Sequence, residues 1–162
     1  MIYRLLTKRL KELLTQYPVV CITGPRQSGK TTLVKNVFPK AEYVSLEDPD
    51  IRAFATEDPR GFLALHDSSP LILGEAQRVP EIFSYIQTIV DNKGKEGLYI
   101  LTGSFHFGLM EGIGQSLAGR AGLLDLLPFS YEELDKAKQT PDSFTSLQYS
   151  TCVKGKHMVL FF

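Results

Sequence analysis

The sequence predicts an α/β domain in which a parallel sheet is covered by helices on both faces. Two observations lead to this fold class. Short apolar runs of strand length alternate along the chain with segments of helical periodicity, and such alternation is typical of buried parallel strands joined by helices. The first of these runs also leads into G-P-R-Q-S-G-K-T-T at residues 24–32, a glycine-rich loop placed between a strand and a helix.

The N-terminal segment is predicted to form a helix over residues 2–15, because its leucines recur at helical spacing with Lys and Arg between them. The apolar run at 19–23 is the first predicted strand. The loop at 24–32 leads into a helix that stops near Pro39, where the missing N–H group disfavours continuation. A second strand is predicted over 42–46.

Two Asp-Pro pairs mark the starts of the next two helices. Asp48 and Asp58 can each cap a helix whose first residue is the proline that follows, which predicts helices over 49–56 and 59–65. The short apolar run at 70–73 then predicts a third, buried strand.

The second half of the chain continues the alternation. Apolar residues at helical spacing predict a helix over 80–90, and the next apolar run predicts the fourth strand over 98–102. One or two helices are expected over 105–118, and the fifth strand over 123–127. The segment that begins at Ser130 has the shape of a capping box, in which Ser and a Glu three positions later cap one helix start.

Composition and charge limit the class of protein. The chain has 162 residues, 43% of them hydrophobic, which suffices for one domain with a core. Its 18 basic and 18 acidic side chains balance, so no global field attracts nucleic acid or a membrane surface. No apolar run reaches the ~18 residues of a membrane span. The two cysteines lack disulfide or metal-ligand patterns. We therefore expect a cytoplasmic protein.

Two groups of residues receive a structural interpretation. The basic residues Arg4, Lys8, Arg9 and Lys11 of the first helix are one candidate for a local basic patch, but such clusters are usually a solvated helix face. Cys21, inside the first strand, is predicted to be a small core residue.

The loop at residues 24–32 has the G-x-x-x-x-G-K-T spacing of a phosphate-binding loop. Backbone N–H groups in such a loop converge on a phosphate at the start of a helix, whose dipole adds about half a positive charge. Lys30 is expected to reach the β and γ phosphates of a nucleotide, and the Thr31 hydroxyl to bind Mg²⁺. The predicted binding residues of the loop are Gly24, Pro25, Arg26, Gln27, Ser28, Gly29, Lys30, Thr31 and Thr32.

Hydrolysis needs further groups, which open parallel sheets place at the carboxyl ends of neighbouring strands. The third strand is followed by Gly74 and Glu75. In many phosphate-loop ATPases these positions hold an Asp, which helps to bind Mg²⁺ through water, and a Glu, which polarises the attacking water. Glu75 is therefore predicted to be catalytic, and the alternative is a solvated carboxylate at the end of the strand. No side chain near in sequence replaces the acid missing at Gly74, and nothing in the pattern brings Asp48 or Asp67 to the site.

Two hydroxyl side chains, Thr102 and Ser104, follow the fourth strand. A hydroxyl at this position can bind the γ phosphate or the attacking water, and Ser104 suits the cap of the next helix equally well. We include both residues among the predicted nucleotide-binding residues and leave both roles open.

Five further blocks accompany the loop: Leu46-Glu47-Asp48-Pro49-Asp50, Glu75-Ala76-Gln77-Arg78-Val79-Pro80, Leu101-Thr102-Gly103-Ser104, Ser116-Leu117-Ala118-Gly119-Arg120 and Leu127-Pro128-Phe129-Ser130. With these motifs, residues 1–137 resemble the prokaryotic AAA-like ATPases, which carry a helical domain of unknown function after the ATPase core. The resemblance implies a three-layer P-loop NTPase core with an N-terminal helix and a five-stranded parallel sheet of order 5-1-4-3-2.

The resemblance also implies ligands and partners. It implies that ATP and Mg²⁺ bind, and that the protein forms a homo-oligomer in which an arginine completes the site of a neighbouring subunit. Arg120 matches that catalytic arginine. The alternative, a surface arginine favoured by a helix end, stays open.

The chain departs from the family pattern in two ways. Gly74 stands where the family has Asp, and the C-terminal domain of the family is missing. The composition changes after Lys138 towards Ser, Thr and Gln. We therefore expect an ATP-binding domain over 1–137 and an irregular tail over 138–162, as in a chain truncated after its core.

Three functions follow as alternatives. The first is an ATP hydrolase that uses Lys30, Glu75 and the Arg120 of a neighbour. The second is a nucleotide-binding module whose hydrolysis is impaired by Gly74, and the third is a non-enzymatic remnant. A GTPase or small-molecule kinase ranks lower, because no Asn-Lys-x-Asp string or acceptor lid is visible. DNA binding stays an alternative by analogy with related ATPases, but the zero net charge gives it no support.

Overall fold

The computed structural model of the protein describes residues 4–66, 69–104, 114–130 and 133. Helices and strands alternate in the predicted way, and a short 3-10 turn covers Ala76–Arg78. The helices and strands are α1 (Leu6–Leu14), β1 (Val19–Thr23), α2 (Lys30–Val37), β2 (Tyr43–Ser45), α3 (Pro49–Glu57), α4 (Pro59–Leu65), β3 (Leu71–Gly74), α5 (Ile82–Lys93), β4 (Tyr99–Thr102) and β5 (Ala121–Asp125).

The five strands form one sheet in the order β2-β3-β4-β1-β5. Every recorded strand pair is parallel. This is the predicted order 5-1-4-3-2 counted from the opposite edge, so the predicted α/β fold is confirmed. Because β1 lies between β4 and β5, the loop that follows β1 stands at the carboxyl edge of the sheet, beside the end of the central strand β4.

The two faces of the sheet carry separate hydrophobic clusters, which gives the predicted three layers. Val19 and Cys21 of β1 belong to the cluster that includes residues of α3, α4 and α5. Val20 and Ile22 belong to the cluster that includes residues of α1 and α2. Burial on both faces explains why β1, β3 and β4 are continuous apolar runs. Cys21 is buried in this core as predicted, and its burial raises the pKa of the thiol to about 12.

The two Asp-Pro pairs begin helices as predicted. The Asp48 carboxylate accepts hydrogen bonds from the amides of Asp50 and Ile51 at the start of α3. The Asp58 carboxylate accepts one from the Gly61 amide, at 2.9 Å, at the start of α4. Asp48 is therefore engaged in capping, and Asp67 lies outside the described residues.

The predicted position of the fifth strand is wrong by two residues. β5 covers Ala121–Asp125 and pairs with β1 from Val19↔Ala121 to Thr23↔Asp125. β5 is an edge strand whose side chains alternate between buried and exposed. The prediction placed the strand on the continuous apolar run at 123–127, and the paired residues begin two positions before that run. Leu127, assigned to the strand by that run, lies beyond it and is 59% exposed.

Several other predictions concern the later part of the chain. The helices predicted over 105–118 and the tail over 138–162 lie largely or wholly outside the described residues. The capping box is confirmed, because the Ser130 amide donates to the Glu133 carboxylate at 2.9 Å and the Glu133 amide donates to the Ser130 hydroxyl at 3.3 Å. In the described part of the chain, no helix combines the length and apolar character that crossing a membrane requires.

Candidate phosphate site

The loop after β1 depends on two glycines with positive φ. Gly24 has φ +148° and Gly29 has φ +86°, backbone values that residues other than glycine rarely adopt. A Cβ atom on Gly24 would lie 2.1 Å from the carbonyl oxygen of Leu126. The segment after β5 therefore packs directly against the loop, and only glycine leaves room for it.

The loop presents unpaired backbone donors at the start of α2. The helix begins at Lys30, and its N-terminal cap residue Gly29 provides no side-chain hydrogen bond. The first-turn amides of a helix have no acceptor within the helix, so they are available to an anion. The buried Ser28 hydroxyl also has no hydrogen-bond partner among the described residues. These donors form a cradle that suits a phosphate group, while residues 25–27 are exposed at its rim.

The Lys30 ammonium lies over the loop. Its Nζ donates to the carbonyl oxygens of Gly24 at 3.0 Å and Pro25 at 2.8 Å. Burial lowers the pKa of Lys30, and the nearby charge of Glu75 opposes this shift. Glu75 is thus close enough for its charge to favour the protonated form of Lys30.

Glu75 has an unusual backbone at the end of β3. Its φ of 54° and ψ of 44° are left-handed, which costs a residue other than glycine about 1–2 kcal/mol. Its carboxylate accepts hydrogen bonds from Nε2 of the Gln77 side chain at 2.8 Å and from the Ser104 hydroxyl at 3.5 Å. Ser104 therefore lies beside the predicted base, and Thr102 is buried at the end of β4.

The space beside Gly74 is filled by a side chain that the sequence analysis did not consider. A Cβ atom on Gly74 would lie 2.2 Å from the hydroxyl oxygen of Tyr43 and 2.8 Å from its Cζ. The same hydroxyl lies 3.5 Å from Oγ1 of Thr31, the predicted Mg²⁺ ligand. The expectation concerned side chains near in sequence; in space, the Tyr43 side chain of the neighbouring strand occupies the position beside Gly74.

The prediction that Arg4 belongs to a solvated helix face is wrong, because Arg4 is only 7% exposed. Its guanidinium donates to the carbonyl oxygen of Ser28 at 3.0 Å and to that of Leu127. It also pairs with Glu133 at 3.1 Å and lies 4.3 Å from the ring centroid of Phe129. Arg4 thus joins the phosphate loop to the segment after β5.

Arg120 lies at the opposite end of the sheet from the loop. Its carbonyl oxygen accepts a hydrogen bond from the amide of Val19, the first residue of β1. Its side chain pairs with the Asp91 carboxylate through two hydrogen bonds. These bonds lower the pKa of Asp91 and raise that of Arg120. Within one chain, Arg120 does not join the other predicted site residues, and its action on a neighbouring subunit stays a prediction.

The donor set suits Mg²⁺ only together with a nucleotide. No group of three or more His, Cys, Asp or Glu side chains is arranged to hold a metal in the described ranges. Mg²⁺ usually keeps several waters and binds to one or two protein oxygens plus substrate phosphates. The exposed Thr31 hydroxyl is compatible with that mode of binding.

The fold and the loop define an ATP-binding protein of the AAA-like class. The model of a family described as an AAA domain matches residues 16–135, and the chain belongs to that family. The uncharacterized proteins Rv2008c of Mycobacterium tuberculosis and Mb2031c of Mycobacterium bovis are each 38% identical to the chain over 120 residues. These matches cover 73% of this chain but 27% of each relative, so the chain spans about a quarter of their length.

Two solved structures resemble the fold. A crystal structure of a DNA replication initiation factor aligns with a TM-score of 0.55 over 82% of this chain and 47% of its own. AMPPCP-bound DnaA from Aquifex aeolicus aligns with a TM-score of 0.58 over 90% of this chain and 51% of its own. Both are 19% identical to the chain, so the likeness concerns the fold.

Proposed function

We propose that the chain binds ATP with Mg²⁺ at residues 24–32 and hydrolyses it, with Glu75 as the base. The observation that carries the proposal is the position of Glu75 directly after β3, where its backbone is left-handed and its carboxylate accepts hydrogen bonds from the Gln77 side-chain amide and the Ser104 hydroxyl. The nucleotide-bound state of the DnaA structure, which shares this fold, supports ATP as the ligand.

Each part of the site has a defined role in this reaction. The loop amides and Lys30 bind the phosphates, and Thr31 would hold Mg²⁺, which neutralises phosphate charge when bound. Glu75 accepts a proton from water as the water oxygen bonds to the γ phosphorus. The bond from that phosphorus to the bridging oxygen breaks, and ADP and phosphate leave. Ser104 and Gln77 orient the carboxylate.

Variants of Glu75 and Lys30 test the proposal. The Mg²⁺-dependent ATPase rate of the unaltered chain is compared with those of Glu75→Gln and Lys30→Ala. Glu75→Gln is expected to lose at least ~100-fold in rate, the usual contribution of a general base, while retaining nucleotide binding. Lys30→Ala is expected to lose binding. Equal rates in the unaltered chain and Glu75→Gln would refute Glu75 as the base.

A second candidate function, nucleotide binding with impaired hydrolysis, is favoured by the Tyr43 side chain beside Gly74. A phenol brings no negative charge to the Mg²⁺ side of the site, whereas a carboxylate does. In this case the thermal midpoint rises with Mg-ATP, but no turnover accompanies binding. The absence of any shift would instead favour the non-enzymatic remnant.

We extend the proposal to a homo-oligomer in which Arg120 acts on a neighbouring site. For that role the side chain must leave Asp91, to which it is bonded within its own chain.

A further inference from the structure

We propose that Tyr43 is a positioning residue for Thr31 and that its hydroxyl takes the place of the carboxylate missing at residue 74. The inference deepens the proposed function and rests on it, because Thr31 matters only where a nucleotide binds with Mg²⁺. Gly74 and Tyr43 then form one functional pair spread over two neighbouring strands.

The Tyr43 side chain and a side chain at residue 74 would occupy the same space. Tyr43 of β2 pairs in register with Ile72 of β3, and Ser45 pairs with Gly74. Alternate residues of a strand face the same side, so Tyr43 and Gly74 lie on one face of the sheet. A Cβ atom at residue 74 would lie 2.2 Å from the Tyr43 hydroxyl oxygen, so residue 74 cannot carry a side chain while Tyr43 keeps its present position.

The phenol of Tyr43 points at Thr31, the predicted Mg²⁺ ligand. The Tyr43 hydroxyl lies 3.5 Å from Oγ1 of Thr31, at the outer limit of a hydrogen bond. Either group can donate, since both are hydroxyls. When Tyr43 donates, it occupies one lone pair of the Thr31 oxygen and leaves one for the cation; when Thr31 donates, both lone pairs of its oxygen stay available to the cation. The second arrangement prepares Thr31 as a ligand.

A second contact with α2 holds the Tyr43 ring in this orientation. Lys35 of α2 places its Nζ 4.2 Å from the centroid of the Tyr43 ring, a cation–π contact. Thr31 and Lys35 lie four residues apart on the same helix, so α2 contacts both the ring and the hydroxyl of Tyr43. The phenol is thus supported independently of its contact with Thr31.

The experiment separates this role from nucleotide binding in general. The dissociation constant of a non-hydrolysable ATP analogue is measured by calorimetry on the full chain, once with Mg²⁺ and once with EDTA. Tyr43→Phe keeps the ring and the contact with Lys35. We expect it to reduce the Mg²⁺-dependent gain in affinity by about three- to tenfold, the contribution of one hydrogen bond, and to leave the affinity in EDTA unchanged.

The matched control is Tyr17→Phe, which lies before β1 at the end of the sheet opposite the loop and is expected to leave both affinities unchanged. An unchanged Mg²⁺-dependent gain in Tyr43→Phe would overturn the role of Tyr43, even where the unaltered chain binds the analogue well. An unaltered chain that binds under neither condition would overturn the proposed function as well. The two failures are therefore distinguishable.

A double substitution tests the shared space. Tyr43→Val removes the hydroxyl and clears room for a side chain at 74, so it is expected to lower the Mg²⁺-dependent gain. Adding Gly74→Asp to Tyr43→Val is expected to restore that gain to the level of the unaltered chain or above it. A double variant no better than Tyr43→Val would contradict the exchange of the two groups.

Discussion

The two sides of the candidate site are built in different ways. On the loop side, two positive-φ glycines, a backbone contact with Leu126 and the buried Arg4 hold the chain in place. On the strand-end side, side chains meet at contacts as long as 3.5 Å, and Tyr43 fills the space beside Gly74. The phosphate cradle is therefore set mainly by backbone geometry. The chemistry of hydrolysis depends instead on side chains from separate strands, and a side chain of one strand can take the place of a side chain of the next.

The largest expected effect lies on the loop side, at the ion pair of Arg4 and Glu133. Removing one member of a buried pair leaves an uncompensated charge, so Glu133→Gln should cost about 3–5 kcal/mol of unfolding free energy. Urea denaturation of the full chain measures this loss. The matched control is Arg9→Ala, which breaks the exposed pair of Arg9 and Glu12 and should cost about 1 kcal/mol or less. Equal losses would show that Arg4 does not support the loop.

The next effect tests whether backbone geometry fixes the loop. Gly24→Ala adds a methyl group against the Leu126 carbonyl and forces a side chain into positive φ, so it should cost about 2–4 kcal/mol and weaken nucleotide binding. Gly94→Ala is the control, because Gly94 also has positive φ but nothing lies within 4 Å of its Cβ position. That control should cost only about 1 kcal/mol. Similar costs for both variants would contradict the role of the Leu126 contact, and urea midpoints decide.

The strand-end side is tested by restoring the acid. By sequence alone, Gly74→Asp should raise ATPase activity strongly if the module is impaired. The structure predicts no gain from that change alone, because Tyr43 occupies the space. Gly74→Asp combined with Tyr43→Val should raise the ATPase rate on the order of tenfold, about 1.4 kcal/mol of barrier. A full gain from Gly74→Asp alone would show that the strand end accommodates both groups.

The smallest effect concerns Arg120, which belongs to neither side of the site. Its bonds lower the pKa of Asp91. The stabilisation from this exposed pair is therefore present above the ordinary pKa of an aspartate, and it is lost as the pH falls through the lower value of the folded state. Asp91→Asn should abolish this acid-side dependence in thermal melts while changing the neutral-pH midpoint little.

The same pair separates the two interpretations of Arg120. If Arg120 acts on a neighbour, Arg120→Ala should lower the ATPase rate per chain at high protein concentration, and Asp91→Asn should preserve it. A rate that is unaffected by Arg120→Ala at every concentration would leave Arg120 as a surface arginine.

The sequence was sufficient for features that depend on local pattern. Continuous apolar runs located β1, β3 and β4, because both faces of these strands are buried. The prolines after Asp48 and Asp58 located α3 and α4. The order of the strands came from the family resemblance, and it is this order that makes the carboxyl ends of β1, β3 and β4 neighbours.

Features that depend on contacts distant in sequence were missed or misplaced. Tyr43 and Gly74 are neighbours only because β2 pairs with β3 in one register. A glycine in place of an acid, beside an aromatic residue of the next strand, is a signal that becomes visible once the strand order is known. Arg4 appeared to be one of several basic helix residues, and its burial depends on Glu133 and Leu127, which lie far along the chain.

The contact of Arg4 with Glu133, 129 positions apart, has a consequence for the order of folding. During synthesis the phosphate loop emerges early, but its buried support and the strands on both sides of β1 emerge much later. Contacts between such distant segments must overcome loop-closure entropy before they stabilise anything. A nascent chain that ends before β4 therefore has the loop sequence without the partners that shape it, and nucleotide affinity should arise only after the last strand has joined the sheet.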